Sequence, residues 1–208
     1  MKFPRIYHLP GSPGATKDDK ILKSTDHLQN MRVIMTEKLD GENTSFLRNH
    51  IHARSEESQH HASQSWIKGL HATIRHQIPE HYQIVGENLY AKHSIYYDKL
   101  NSFFYVFAVI DLNQKIFLSI TDTIHVCKLL NLYYVPVIRI EKFDSLDLTV
   151  PLKSAFGNEI EGFVIRNVES FSIDQADMNI AKWVRKGHVQ TDKHWKKTWT
   201  PNTLMSVS

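Results

Sequence analysis

Cysteine and long apolar runs are nearly absent from this chain. Its 208 residues include one cysteine, Cys127, and the longest continuous apolar stretch covers residues 103–110. A single cysteine excludes an internal disulfide framework and fits a reducing compartment, so we expect a cytoplasmic protein. A membrane-spanning helix needs about 20 apolar residues, so no span is expected. Residues 1–14 lack the apolar core of a secretory signal, which is therefore not expected either.

Positive charge is concentrated near the carboxyl end. The formal net charge is only +3, but residues 180–199 contain six basic residues against one acid, with three tryptophans among them. Such a mixture can follow a phosphate backbone and stack on bases. A solvated tail whose tryptophans cover the core explains the same pattern, and both interpretations stay open at this point.

Hydrophobic periodicity predicts a strand-rich α+β chain. The predicted strands cover residues 32–38, 43–48, 82–89, 103–111, 115–119, 134–140, 160–167 and 180–185. Helical spacing predicts one helix over 66–78, ended by Pro79, and a second over 121–132, capped by Thr121 or Asp122. A histidine-rich loop is expected over residues 50–63. Because regular βαβ alternation is missing, we expect antiparallel sheets flanked by helices in a single domain over residues 1–208, with a basic tail from residue 186.

The most informative segment is EKLDGEN, residues 37–43. It places Lys38 at the end of a predicted strand, before an Asp-Gly turn, so the amine is expected at the rim of a sheet. A lysine amine titrates near about 10.4 and is a poor nucleophile while protonated, but nearby cations or burial can lower its pKa. An isolated K-x-D-G is more often a surface hairpin, so the other segments decide its meaning.

Five further segments follow Lys38 in a recognisable order. They are His52-Ala53-Arg54-Ser55, residues 85–90 (VGENLY), 104–107 (FYVF), 161–166 (EGFVIR) and 180–185 (IAKWVR). With residues 37–43, this series resembles the collinear motifs of the covalent nucleotidyltransferases, which include ATP-dependent ligases and mRNA capping enzymes. Within that superfamily it is most similar to the phage-type RNA ligases. The resemblance implies a nucleotidyltransferase (ligase adenylation) core of antiparallel sheets.

The resemblance implies nucleotide-binding roles for four residues. Lys38 would attack the α-phosphorus of ATP and carry AMP as a phosphoramidate. Glu37 matches the position that reads the adenine amino group, Glu87 the carboxylate that binds the ribose hydroxyls, and Phe107 the ring that stacks on the base. Considered alone, Glu87 would be an exposed strand carboxylate and Phe107 a core residue.

Other matched positions imply contacts with phosphate, metal and RNA. Lys182 would contact the α-phosphate and offset its growing charge, and Glu161 would hold Mg²⁺ or Mn²⁺. Arg54 matches the arginine that contacts nucleotide and RNA phosphate, and Asn43 an asparagine needed around the sealing step. A cationic Lys182 and the metal are also expected to lower the pKa of Lys38. Each residue, considered alone, has a plainer interpretation as a turn residue or a solvated charge.

Two positions depart from the family pattern. The last motif of the family has two lysines one residue apart, but here Val184 occupies the second slot after Lys182. Arg185 and Lys186 are the candidate replacements in binding the substrate, although strand alternation puts Arg185 on the face opposite Lys182. Ala108 stands where related ligases often carry an acid.

The resemblance therefore implies an ATP-dependent RNA ligase that acts in RNA repair. The 22 residues after Lys186 are too few for an OB-fold domain, so we expect a minimal catalytic core. Its substrates would be ATP and RNA with 5′-phosphate and 3′-hydroxyl ends. Two alternatives stay open: a nucleotidyltransferase with another nucleotide or acceptor, such as a capping enzyme, DNA ligase or protein adenylyltransferase, and a non-catalytic RNA-binding relative.

Motifs of other site classes are missing. His50, His52, His60 and His61 cluster in the predicted loop, but neither HExxH nor paired Cys-x-x-Cys is present, so a structural zinc site is not expected. Residues 10–14, PGSPG, are not a phosphate-binding loop, because no Gly-Lys-Ser/Thr follows them. We expect the histidines to be exposed or to contact RNA.

Overall fold

Two β-sheets form the frame of the computed structural model, which describes residues 1–54, 62–146, 153–156, 160–187 and 199–205. Within these residues, the first sheet has the spatial order β1 (Tyr7–His8), β12 (Ile180–Val184), β10 (Gly162–Asn167), β2 (Arg32–Lys38) and β9 (Val137–Lys142). The second has the order β11 (Phe171–Ser172), β7 (Ile116–Phe117), β6 (Phe104–Asp111), β5 (Tyr82–Asn88), β3 (Glu42–Phe46) and β4 (Ile51–Ala53), with β8 (Tyr133–Tyr134) also paired to β6. Neighbouring strands run antiparallel except in the short pairs β1–β12 and β6–β8.

Helices are few and short in the described part of the chain. They are α1 (Ser65–Ile74), α2 (Ile120–Leu129) and α3 (Ala176–Asn179), with 3₁₀ turns at Asp26–Leu28, Ala62–Gln64, Arg75–Gln77, Phe143–Ser145 and Ile173–Gln175. This content confirms the predicted α+β class with antiparallel sheets. None of the helices described is long and apolar enough to cross a bilayer.

The core is layered by strand alternation. Helices α1 and α2 pack on the outer face of the second sheet, against a cluster that includes Phe46, Ile84 and Phe104. The outer face of the first sheet is covered by the amino-terminal segment, where Leu9 and other residues pack on β2, β10 and β12. Between the sheets, residues of β5, β6 and β7 meet Val164 and Ile180 of the first sheet. The same inner face also carries Lys38 and Lys182, and the space between the sheets that these two lysines face is called the cleft.

The register of the first sheet places two lysines on that inner face. Lys38 lies opposite Gly162, which lies opposite Val184. One step along, Lys182 lies opposite Val164. Because every second residue of a strand shares a face, Lys38 and Lys182 project to the same side as Val164, toward the second sheet. The first sheet therefore aligns the lysines of the first and last sequence motifs.

The predicted strand over 134–140 is wrong as a single element. It is divided between β8, which pairs with β6, and β9, which pairs with β2. Pro136 lies at the division, and proline cannot donate a hydrogen bond to a ladder. The Pro136 carbonyl instead accepts a hydrogen bond from the Glu37 amide at 2.9 Å. This crossing joins the two sheets beside the Lys38 segment.

Other boundaries also differ from those expected. Helix α2 is capped by Ser119, whose hydroxyl accepts a hydrogen bond from the Asp122 amide at 3.1 Å, and not by Thr121 or Asp122. The predicted loop over residues 50–63 contains β4, which forms a hairpin with β3. Its residues 55–61 lie outside the described chain. His71, expected to be exposed, is buried and bonded to the Leu47 carbonyl at 2.6 Å.

The alignment of the three central strands predicts a strict requirement for glycine at position 162. A Cβ atom there would collide with the Trp183 backbone carbonyl, and backbone cannot move aside cheaply. We expect Gly162→Ala to lower the free energy of unfolding by about 1–3 kcal/mol, measured by urea denaturation.

The matched control is Gly69→Ala on the exposed side of α1, where an added Cβ meets nothing within 4 Å. Alanine is the better helix former, so this variant is expected to gain about 1 kcal/mol. Equal stability of the Gly162→Ala protein and the wild type would contradict the register described above.

Candidate active site

Lys38 and Glu161 form the centre of the candidate site. Lys38 ends β2 opposite Gly162, and Glu161 directly precedes Gly162, the first residue of β10. The Lys38 Nζ atom lies 2.7 Å from Oε1 and 2.8 Å from Oε2 of Glu161. Glu161 is 1% exposed at its side chain, whereas that of Lys38 remains 24% exposed. The predicted nucleophile therefore lies at the mouth of the cleft, held from within by the predicted metal ligand.

Carboxylates dominate the electrostatics around Lys38. Burial lowers the pKa of Lys38, but the charges of Glu161, Glu87 and Asp40 outweigh it, and the pKa is raised. The expected lowering of this pKa depends on a bound metal as well as Lys182, and without the metal the acids near the ammonium outweigh the neighbouring lysine. The free protein holds Lys38 in its protonated form.

Glu87 faces Lys38 from the second sheet. It lies on β5 opposite Asn43, and its Oε1 atom accepts a hydrogen bond from the Gly41 amide at 3.1 Å. Burial raises the pKa of Glu87 to about 8; Lys38 opposes this shift, while Glu161 and Asp40 add to it. The carboxylate thus binds the turn that follows Lys38 and lies close to the lysine.

Asp40 fixes the turn by a set of buried hydrogen bonds that its sequence context did not reveal. Its Oδ2 atom accepts bonds from the Ser94 amide at 2.8 Å, the Ser94 hydroxyl at 2.7 Å and the Ile95 amide at 2.9 Å. Its own amide donates to the Tyr97 hydroxyl at 2.9 Å. The sequence indicated only a turn residue at this position. No local pattern pointed to Ser94 or Tyr97, which meet Asp40 through tertiary packing.

The segment that holds Asp40 is itself braced by the carboxyl-terminal residues. Asn202 accepts a hydrogen bond from the Tyr97 amide at 3.0 Å and donates one to the Leu89 carbonyl at 2.8 Å. The Trp199 ring lies 5.4 Å from that of Tyr90. Residues 199–205 therefore pack on the body of the protein. Residues 188–198 of the predicted basic tail lie outside the described chain.

Glu37, the residue before Lys38, is buried and retains an acceptor atom. It is 3% exposed, and its Oε2 atom accepts a hydrogen bond from the Ala155 amide at 2.8 Å. Its Oε1 atom is buried and has no hydrogen-bond partner among the described residues. Burial raises the pKa of Glu37, against the hydrogen bonds from Ser154 and Ala155. An amino group brought by a ligand would satisfy the Oε1 atom.

Phe107 occupies a β-bulge. Val85 lies opposite Ala108, and Gly86 lies opposite Val106, so Phe107 has no partner on β5. A bulge redirects the side chain that it carries. The half-buried Phe107 ring packs edge-on to that of Phe3, with centroids 5.2 Å apart.

The bulge at Phe107 is supported from the opposite sheet. The Phe107 carbonyl accepts a hydrogen bond from Arg166 Nη1 at 3.3 Å. Arg166 also donates to the Leu118 carbonyl and lies over the rings of Phe117 and Phe171. A buried guanidinium therefore ties the redirected strand segment to β10.

Lys182 lies on the other side of Lys38 from the carboxylates of β5 and the turn. Burial lowers the pKa of Lys182, and the charge of Lys38 lowers it further, while Asp19 and Glu161 oppose the shift. Arg54, exposed at the end of β4, also lowers it, so the two predicted phosphate-binding cations lie in the same region of the cleft. The two lysines and Glu161, from three separate motifs, lie near one another in the structure.

The other predicted substrate-binding residues, Asn43, Arg185 and Lys186, have three different environments. Asn43 lies beside Glu87, and its Oδ1 atom is buried with no hydrogen-bond partner in the described chain. Arg185 binds the backbone that carries Glu161: its Nε atom donates to the Ile160 carbonyl at 2.8 Å and its amide to the Glu161 carbonyl at 3.0 Å. Lys186 is exposed. Arg185 is thus positioned to support Glu161 through the main chain.

The donor set fits a divalent cation that shares its coordination with a substrate. Among the described residues, no group of three or more His, Cys, Asp or Glu side chains is arranged to hold a metal. Mg²⁺ and similar ions bind one or two carboxylates and complete their shell with water and phosphate oxygens. Glu161, with Glu87 across the cleft, provides that kind of partial site.

Comparison with known proteins agrees with the motif series. A model of the RNA ligase family matches residues 31–184. Naegleria gruberi RNA ligase with PPi is similar in structure, with a TM-score of 0.59 and 18% identity over 77% of this chain and 51% of that chain. A lysine mutant of that ligase with ATP and Mn has a TM-score of 0.58 and 16% identity, covering 77% of this chain and 52% of the other. A second lysine mutant with ATP and Mn has a TM-score of 0.57 and 16% identity, covering 89% and 59%.

These likenesses show the family and the fold. No curated protein matches the chain by sequence. The chain spans about half the length of the Naegleria ligase structures that it resembles. Since the family model covers most of the chain, including every motif from Glu37 to Lys182, the chain belongs to the RNA ligase family.

Proposed function

We propose that this protein is an ATP-dependent RNA ligase that works through a covalent Lys38–AMP intermediate. AMP would pass from Lys38 to the 5′-phosphate of RNA, and a 3′-hydroxyl would then displace AMP and seal the strand. The observation that carries the proposal is the contact of Lys38 Nζ with Glu161 at 2.7 and 2.8 Å, in a cleft also lined by Glu87 and Lys182. A lysine at the mouth of a cleft, between acids and a second cation, suits phosphoryl-type transfer.

In the first step, the Lys38 amine attacks the α-phosphorus of ATP. A nitrogen–phosphorus bond forms, the bond to the pyrophosphate oxygen breaks, and pyrophosphate leaves. Lys38 must lose a proton first, because Glu161, Glu87 and Asp40 favour the ammonium form in the free chain. A divalent cation bound at Glu161 would supply a charge that neutralises phosphate oxygens and favours the neutral amine. Lys182 would offset the charge that develops on the α-phosphate.

The base and sugar of ATP would be held by residues on both sheets. The Glu37 Oε1 atom, buried without a partner among the described residues, suits the adenine amino group as a hydrogen-bond donor. Phe107, redirected by its bulge, would stack on the base, and Glu87 would bind the ribose hydroxyls. Guanine presents a carbonyl where adenine has its amino group, and two acceptors repel each other. The site therefore favours ATP over GTP.

In the sealing steps, exposed cations would bind RNA phosphates. Arg54 at the end of β4 and Lys186 beyond β12 are open to solvent. Asn43 has a buried amide oxygen close to Glu87 and would act near the sealing step. Arg185, also assigned to substrate binding by resemblance, would contribute mainly by holding the backbone of Glu161.

The proposal predicts covalent labelling of Lys38. Wild-type protein incubated with α-labelled ATP and Mg²⁺ or Mn²⁺ should retain label through denaturing electrophoresis, and it should seal 5′-phosphate RNA to a 3′-hydroxyl end. Lys38→Ala should lose both activities, because the attacking nitrogen is removed.

Lys128→Ala is the matched control, since Lys128 is an exposed lysine of α2. This variant should label and seal like the wild type. Full sealing by Lys38→Ala would overturn the proposal. RNA binding without any covalent AMP, from protein freed of prebound nucleotide, would leave a non-catalytic relative as the better interpretation.

The proposed contact between Glu37 and the adenine amino group predicts that substitution of Glu37 changes the preference for ATP over GTP. In Glu37→Gln, the side-chain oxygen can keep the bond from the Ala155 amide while the new amide group takes the place of Oε1. That group donates, so it suits the guanine carbonyl and leaves the adenine amino group without an acceptor. We expect the ATP-to-GTP ratio of labelling rates to fall about 10–100-fold.

Glu80→Gln, at a side chain that is 79% exposed, controls for loss of a glutamate charge and should leave the ratio unchanged. If Glu37→Gln also left the ratio unchanged, Glu37 would not read the base.

A further inference from the structure

The amino-terminal segment, residues 7–22, pairs with β12, the strand that carries Lys182. His8 lies opposite Lys182 in the parallel β1–β12 pair, and the Leu9 amide donates to the Lys182 carbonyl at 2.7 Å. The chain then turns back, and His8 also binds Lys20 and Leu22 through backbone hydrogen bonds of 2.8 Å. This return brings Asp19 beside β12. Residues 7–22 lie outside the motif series that starts at Glu37.

One oxygen of Asp19 receives the Lys182 ammonium. The Nζ atom lies 3.6 Å from Asp19 Oδ1, and the two side chains are only 14% and 12% exposed. The other oxygen, Oδ2, is fixed by the Thr16 amide at 3.0 Å and the Thr16 hydroxyl at 2.9 Å. Arg5 Nη2 lies 4.0 Å from Oδ1 at the outer side. The carboxylate is therefore held in place by its own loop before it meets the lysine.

His8 supports the same oxygen from below. Its side chain is 1% exposed, its Nε2 atom lies 3.4 Å from Asp19 Oδ1, and its Nδ1 atom lies 2.8 Å from the Ser12 hydroxyl. That hydroxyl accepts a hydrogen bond from the Val184 amide at 2.9 Å. With the Ser12 proton donated to Nδ1, the ring proton is carried by Nε2, which lies 3.4 Å from Asp19 Oδ1 without hydrogen-bond geometry.

The support that Asp19 gives to Lys182 is important because Val184 replaces the second lysine of the last motif. Val184 fills the slot of the second lysine in the last motif; it is 1% exposed and lies in the row of Lys38 and Gly162. Lys182 is then the one lysine that the described β12 strand directs into the cleft. A lysine side chain has many rotamers, so a single lysine aimed at a phosphate benefits from a fixed partner.

We propose that Asp19, supported by His8 and Thr16, is a positioning residue that holds the Lys182 ammonium toward the α-phosphate of ATP. The 3.6 Å ion pair with Asp19 orients the ammonium by charge and leaves its N–H groups for the phosphate. The inference rests on the proposed function and adds to it a segment outside the motif series. Misplacing a group by about 1 Å can cost a factor of 100 in rate, which is the scale expected for losing this support.

The experiment measures how fast α-labelled ATP modifies Lys38 in a single turnover, as a function of ATP concentration. Asp19→Asn should lower the rate at saturating ATP about 10–100-fold, while the half-saturating ATP concentration changes less than about 3-fold. In a protein that already carries Lys182→Ala, the same change should cost less than about 2-fold, because its target is gone.

A purely structural role for Asp19 predicts another pattern. The cost of Asp19→Asn would then be similar with and without Lys182, and the melting temperature would fall in step with the rate; this result overturns the proposal. Asp144→Asn is the matched control: Asp144 also accepts bonds from a backbone amide, that of Asn30, at 3.0 and 3.1 Å, far along β2 from Lys38. It should label at the wild-type rate.

The outcomes separate the two proposals. If the wild type takes up label and Asp19→Asn is labelled equally fast, the role of Asp19 is overturned and the ligase function stands. Wild-type protein that takes up no label overturns both. His8→Phe is a second test variant, since it removes the polar Nε2 atom beside Asp19 but keeps a ring in the buried space. It should slow labelling in wild-type protein, and much less in protein that carries Lys182→Ala.

Discussion

The contact between the Lys38 ammonium and the Glu161 carboxylate depends on three strands keeping one register. The two residues are 123 positions apart in the chain and meet because β10 fits between β2 and β12. Gly162 allows β12 to approach closely. Arg185 donates hydrogen bonds to the carbonyls of Ile160 and Glu161. A buried carboxylate with a partly exposed ammonium is stable only while both are present, since either one alone would be left without its partner.

Around this pair, the cleft has an acidic side and a basic side. Glu87 and Asp40 lie on the side of the turn and β5, whereas Lys182 and Arg54 lie where phosphates are expected. The raised pKa of Lys38 and the pKa of about 8 for Glu87 both follow from acids crowded in a buried space. The free chain thus keeps Lys38 as an ammonium, and under the proposed function arriving phosphates and metal would redistribute these charges before transfer.

Two segments outside the motif series brace this centre. The amino-terminal residues reach Lys182 through Asp19 and His8, and the carboxyl-terminal residues reach Asp40 through Asn202 and Tyr97. The family model matches residues 31–184, so both braces lie beyond the matched region. The first contacts the Lys182 side chain and the second the Asp40 main-chain amide, both through polar contacts, which fix orientation more strictly than apolar packing does.

Local pattern was sufficient to predict the long strands, and the family resemblance named the candidate site residues. The alternation that predicts β2, β5 and β10 and the order of motifs from Lys38 to Lys182 are properties of short segments, and the structure and the family match agree with them. The motifs placed those residues in one site because the family does so, not because the spacing required it.

Tertiary structure alone decided how those residues meet. The bulge at Phe107 arises from pairing with β5, the break at Pro136 from strands that join different sheets, and the raised pKa of Lys38 from acids distant in the chain. The role of Asp19 beside Lys182 has the same origin. Such contacts depend on strand register and on where the chain folds back. The periodicity of a short segment encodes neither, so they could be seen only once the strands were assembled.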